Sequence, residues 1–191
     1  MLMTKFVAAN VGNYIHGKLT LENLPFSLRE MVLHQLMQRM CRNIHSEKRD
    51  NVESVDCMIQ AYLQLVGVTT KKIELGGFIS LYLKGDTVQN VTKILEAISQ
   101  KATNLEHLDF QKNTLSQCFH YYPCLEKNSV EAIIRLEYLK IIHFSRIEYI
   151  NVKLVCKNLK KLQYVECIRL EFTEEEEEKD DIEADIEEFK K

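Results

Sequence analysis

The stretch "NLEHLDFQKN" (104–113) spaces its apolar residues three apart and then two apart, at Leu105, Leu108 and Phe110. A helical face repeats every three or four residues, and a half-buried strand alternates every second one. This stretch does neither along its whole length. Leu108 and Phe110 fit a short strand that points both groups to one side. Leu105 then closes the turn ahead of that strand. Asn113 follows where a side-chain amide can satisfy backbone groups that would otherwise be buried unpaired.

The pattern recurs. "TKKIELGGF" has Ile73, Leu75 and Phe78 in the same relative positions. "LEYLKIIHF" has Leu136, Leu139, Ile141 and Phe144 there, and "LKKLQYVEC" has Leu159, Leu162, Tyr164 and Cys167. Together the four copies resemble the leucine-rich-repeat signature L-x-x-L-x-L-x-x-N/C. Between Ile73, Leu108, Leu139 and Leu162 the spacings are about 35, about 31 and about 23 residues, against a usual range of about 20–29. The first two units therefore need longer helices or insertions. "GDTVQNVTKILEAISQ" supplies one helix, with Asp86 and Gln89 as a capping-box pair and Val88, Val91, Leu95 and Ile98 as its stripe. "NSVEAIIRL" supplies a shorter one, with Asn128 as its cap and Val130, Ile133 and Ile134 apolar.

Strand and helix alternating at a repeat period predict an α/β fold, a short leucine-rich-repeat solenoid over 67–172. Residues flanking the inward groups then line the concave face: Lys72, Glu74, His107, Asp109, Gln111, Tyr138, Lys140, Ile142, Lys161, Gln163 and Val165. Charged, tyrosine and aliphatic groups mixed in this way suit a protein partner. Nucleic acid would favour a denser basic stripe.

Residues 1–66 read differently. In "LPFSLREMVLHQLMQRMC", Pro25 opens a helix with Leu28, Met31, Val32, Leu36 and Met40 on one face. "NVESVDCMIQAYLQLV" is a second helix, with Val52, Val55, Ile59, Tyr62, Leu63 and Val66 in register. One reading makes these helices an N-terminal cap that hides the apolar end of the first repeat. A second rests on resemblance. Leu24, Pro25, Leu28, Val32, Leu33 and Leu36 resemble the opening helix of an F-box, the module that docks on the Skp1-like adaptor of cullin-type ubiquitin ligases. From "NVGNYIHG" through the repeats, roughly residues 10–170, the order is similar to the antagonist-of-mitotic-exit-network family of small leucine-rich proteins. That resemblance implies a substrate-recognition adaptor, docked through Leu24, Pro25, Leu28, Val32 and Leu36, with a second protein as substrate.

Chemistry-bearing patterns are few. "LGGF" falls short of a phosphate-cradling loop, and no G-x-S-x-G occurs. "CFHYYPC" brings Cys118, His120 and Cys124 together, but a structural zinc site wants four ligands with tight C-x₂₋₄-C spacing. His16, His34, His45, His107 and His143 are scattered. The expectation is a non-enzyme with no cofactor and no metal, binding neither membrane nor nucleic acid, and a monomer outside its complex. Six dispersed cysteines suit reduced thiols, and the opening residues lack a signal-peptide run, so the chain reads as cytoplasmic or nuclear.

Residues 173–191, "TEEEEEKDDIEADIEEFKK", hold much of the acid, so the rest of the chain is net basic although the whole carries −3. Such a run of like charge predicts a disordered tail. It also resembles the tail of the acidic leucine-rich nuclear phosphoproteins, which implies histones or other basic proteins as alternative partners. Deleting residues from Thr173 onward should leave the thermal midpoint nearly unchanged. If the tail is the binding element, the same deletion should remove binding to basic proteins, and added salt should weaken that binding in the full chain. Binding that survives the deletion assigns recognition to the folded part.

Overall fold

The computed structural model describes residues 21–43, 52–76, 87–111 and 125–172. Phe78, Asp86, Asn113, the 118–124 segment and the tail 173–191 lie outside them. After a single 3₁₀ turn at Leu21–Asn23 comes helix α1 (Phe26–Asn43), then α2 (Val52–Leu65). Pro25 stands immediately before α1, and its carbonyl accepts the N–H groups of Leu28 and Arg29 at 2.9 and 3.0 Å. Arg29 Nη2 in turn donates to the carbonyls of Gln64 and Leu65 at 3.1 and 3.4 Å. A cation thereby meets carbonyls that the end of α2 leaves without helical partners.

Strand and helix then alternate: β1 (Lys72–Glu74), α3 (Thr87–Lys101), β2 (His107–Asp109), α4 (Lys127–Ile134), β3 (Ile141–Glu148), α5 (Tyr149–Asn158) and β4 (Tyr164–Glu171). The four strands form one parallel sheet whose spatial order is the chain order. The fold is α/β. Parallel neighbours require crossover connections, and α3, α4 and α5 supply them. Among the described residues no helix is long and apolar enough to cross a membrane.

One turn geometry precedes every strand. The N–H groups of Thr70, Leu105, Leu139 and Leu162 each donate to the carbonyl three residues back, in Gly67, Ala102, Leu136 and Leu159. The carbonyls of Lys71, Glu106 and Lys140 then each accept two N–H groups from the start of the next strand. This sets Ile73 beside Leu108, Leu108 beside Ile142, and Ile142 beside Val165.

That pairing corrects the sequence register of the last two copies by three residues. Leu139, Ile142 and Phe144 are the structural equivalents of Leu105, Leu108 and Phe110, rather than Leu136, Leu139 and Ile141. Leu162, Val165 and Cys167 likewise replace Leu159, Leu162 and Tyr164. The physical reason is burial. The observed register puts Ile142 and Phe144 at 0% exposure and stacks Phe144 on Phe110, with ring centroids 5.8 Å apart. The spacing between the first and second units then nearly equals that between the second and third.

Ile73, Leu108 and Ile142 share one core with Leu95 and Ile98 of α3, Ile133 of α4, Val155 of α5, and Leu33, Leu36 and Leu65 of α1 and α2. Asn128 is not the cap of α4. Glu126 holds the N-cap position and makes no side-chain capping bond, while Asn128 sits exposed in the first turn. Ser129 faces inward instead, and its hydroxyl bonds that of Thr92 on α3 at 2.7 Å.

Leu36 is fully buried and Met31, on the same helix, is 49% exposed. Leu36→Ala should therefore cost about 2–5 kcal/mol in urea melts through lost burial and a cavity. Met31→Ala should stay within about 0.5 kcal/mol. Equal losses would contradict the orientation of α1.

Candidate functional site

Parallel pairing carries side chains across the sheet in straight rows, because partners in register point to the same side. On the side away from the helices one row is Lys72, His107, Ile141 and Tyr164. The next is Glu74, Asp109, His143 and Glu166. The second row sets a histidine among three carboxylates.

Asp109, His143 and His107 converge at the middle of these rows. One Asp109 oxygen, Oδ1, accepts the Gln111 backbone N–H at 2.7 Å. The other, Oδ2, lies 3.4 Å from His143 Nδ1. His143 Nε2 stands 3.9 Å from Glu166 Oε2 on the following strand. The His143 ring meets His107 and Tyr164 edge-on, at centroid distances of 5.0 and 5.6 Å. Loss of water around His107, together with the nearby charge of Lys72, pushes its imidazole below the ordinary histidine range. His107 is therefore neutral at pH 7 and offers a nitrogen lone pair. Two imidazoles and a carboxylate in such proximity can share protons or hold a cation.

A second polar row crosses the entry end of the strands. Glu106 bridges Lys71 at 2.8 Å and Lys140 at 2.6 Å. Nearby, Lys161 Nζ lies 3.4 Å from the centre of the Tyr138 ring, a cation–π contact between the turns that lead into β3 and β4.

Most of the sequence-selected residues fall on or beside this surface. His107, Asp109 and Gln111 are brought together, with Lys72 and Glu74 alongside on β1. Tyr138, Lys161 and Gln163 are exposed in the approach to β3 and β4, and Lys140 is held by Glu106. Two assignments are corrected. Ile142 is fully buried and Val165 is half-buried against the core, so Ile141 and Tyr164 occupy the outward positions. The F-box-like face also turns inward. Val32 and Leu36 are at 0% exposure, Leu24 and Leu28 pack half-buried on the same core, and only Pro25 of that set is exposed.

Ile141, His143, Tyr164 and Glu166 are the residues that sequence reasoning missed on this surface. The shifted register concealed them. With Ile142 aligned to Leu108, the residue after each is His143 and Asp109, and their adjacency follows at once.

Comparison with family models, curated proteins and solved structures returned no match.

Hydrogen bonds from Lys140 and Lys71 hold the Glu106 carboxyl down at about 2, from an ordinary value of 4.5. A carboxylate lowered on folding stabilises fully above its unfolded value and loses that contribution as pH falls through the folded one. Glu106→Gln should lower the thermal midpoint at pH 7, and the gap from the parent protein should close between pH 4.5 and about 2. Melts at a series of pH values test this. A constant gap would show that the bridge contributes something other than charge.

Proposed function

We propose that the chain is a protein-recognition module, a short leucine-rich-repeat solenoid that binds its partner on the outward face of the parallel sheet. The observation that carries this reading is the pair of registered rows on that face, along which Lys72, Tyr164 and Glu166 are exposed. Tyr164, 51% exposed, meets the His143 ring, and Tyr138, 44% exposed, stands against Lys161 in the turns that lead into the same strands. Tyrosines beside mixed charge are the usual anchors of a protein interface. The repeated turn before each strand, the sequential strand order and the one-sided helices support the solenoid reading.

The more specific version is an adaptor that delivers a substrate to a cullin-type ubiquitin ligase. It rests on the F-box resemblance. Since Val32 and Leu36 belong to the core, adaptor contact on α1 falls, among the described side chains, to its exposed apolar groups Phe26 and Met31, both 49% exposed. Replacing Phe26 and Met31 with Ser would then remove co-elution with a purified Skp1-like adaptor without unfolding the protein. Failure of the unaltered chain to co-elute would end the adaptor version and leave the recognition module standing.

The outward-face reading has its own test. Partners captured by the full chain should be identified and their affinities measured against a Tyr138→Ala, Lys161→Ala, Tyr164→Ala variant. Loss of an interface anchor costs about 2 kcal/mol or more, about thirtyfold in Kd. The variant should lose at least that while melting normally. Unchanged affinity would move the interface elsewhere.

A further inference from the structure

We propose that His107, Asp109 and His143 form a binding site for a divalent transition-metal cation of the zinc class on the outward face of the sheet. Each residue offers a ligand atom, and these atoms all lie within 4.8 Å of one another. Donors around a tetrahedral zinc ion stand about 3.3 Å apart, given metal–ligand bonds of about 2.0–2.1 Å. His143 Nδ1 and Asp109 Oδ2 already stand 3.4 Å apart. A bound ion would have to draw the His107 donor in from a separation of up to 4.8 Å.

Three further observations point the same way. His107 Nε2 is shut off from water and has no hydrogen-bond partner. Such a buried polar atom is costly, and a bound cation would satisfy it. The two residues nearest each other are also well enclosed, with side-chain exposures of 19% for His143 and 12% for Asp109. Finally, part of the outer shell is in place. The Gln111 N–H holds Asp109 Oδ1, which leaves Oδ2 directed at the cluster. Glu166 Oε2 lies 3.9 Å from the far nitrogen of His143, beyond hydrogen-bond reach as it stands but near enough for a side-chain turn to bring it onto the N–H of a ligating imidazole.

The donor set selects the metal. Two imidazoles and one carboxylate suit zinc and its first-row neighbours, whereas calcium and magnesium prefer oxygen donors throughout. Three protein ligands leave one position of a tetrahedral ion open for water or for a donor group from another molecule. Glu166 adds negative charge at one end of the row, whereas Glu74 at the other is paired with Lys72 Nζ at 2.8 Å.

The experiment uses the full chain, stripped with a chelator, dialysed, and titrated with Co²⁺ and then Zn²⁺. One equivalent of Co²⁺ should bring up visible ligand-field bands, and Zn²⁺ should displace it. Zn²⁺ should also raise the thermal midpoint, since a ligand that binds only the native state stabilises it. A His107→Asn, His143→Asn double variant should lose both responses. Glu166→Gln should keep the bands but weaken the affinity by about tenfold or more, as removal of an outer-shell partner does. Equal metal binding by the double variant and the parent would assign it to the tail carboxylates or the thiols and overturn the proposal, as would absence of binding. Should the double variant melt early, the unaltered chain decides. One equivalent of Co²⁺ must shift the ring resonances of two histidines, and shifts in none would overturn the site. Neither result bears on the anchors Tyr138, Lys161 and Tyr164, so the recognition reading stands or falls separately.

Discussion

The carbonyls of Lys71, Glu106 and Lys140 each accept the N–H groups of the first residue of the strand that follows in space and of the residue before it, and the register of the sheet is set at those three acceptors. Parallel strands are sensitive to such a fixture, because a slip of one residue exchanges the inner and outer faces. Each hydrogen bond contributes only about 0.5–1.5 kcal/mol net. Full burial of Leu108 or Ile142 contributes about 1.5–3 kcal/mol each. Burial therefore supplies most of the stability, while the doubly occupied carbonyls specify which residues are buried. The same fixture places Asp109 next to His143.

The first unit departs from the others in an informative way. Thr70 stands where Leu105, Leu139 and Leu162 stand in later units, yet it is as fully buried as Leu105 and Leu139, at 0% exposure. Its hydroxyl donates to Glu30 on α1 at 2.9 Å and accepts the Gly67 N–H at 3.1 Å. A leucine there would leave that carboxylate and that N–H without this partner. Gly67 fits the same junction, because a Cβ at this position would come within 3.3 Å of the Arg29 guanidinium. The N-terminal helices are thus joined to the sheet by polar bonds as well as by the Leu33, Leu36 and Leu65 packing.

Fold class could be read from the sequence because the two periodicities, strand-like and helical, alternate clearly. The stripes of α3 and α4 and the proline entrance of α1 are local signals, and each falls where the spacing indicates. Register was harder. Between Leu136 and Phe144 the chain offers Leu136, Leu139, Ile141, Ile142 and Phe144, so the three-then-two spacing can be laid down twice. Contacts distant in sequence separate the two choices: the hydrogen bonds to the Glu106 carbonyl, the burial of Ile142, and the stacking of Phe144 on Phe110. The same ambiguity exchanged Ile141 for Ile142 and hid His143. Inward burial of Val32 and Leu36 had a similar origin, since an apolar helical stripe looks alike whether it meets its own core or another protein.

The strand pairings are unequal in length. β3 and β4 stay in register from Ile141 beside Tyr164 to Glu148 beside Glu171, whereas β1–β2 and β2–β3 hold only three residue pairs each. A chain in which every unit touches mainly its neighbours can fold by local propagation, and the longest ladder is the natural place to begin. Ladder length alone then predicts a start in the β3–α5–β4 crossover unit, 141–171, with order spreading from there toward α1. Native-state hydrogen exchange would display that gradient directly, with the slowest amides in β3, where Ile142, Phe144 and Ile147 are fully buried, and progressively faster ones toward β1. The end of the molecule that closes last is the one carrying the N-terminal helices, so a partner that bound them would act on the final step of folding rather than the first.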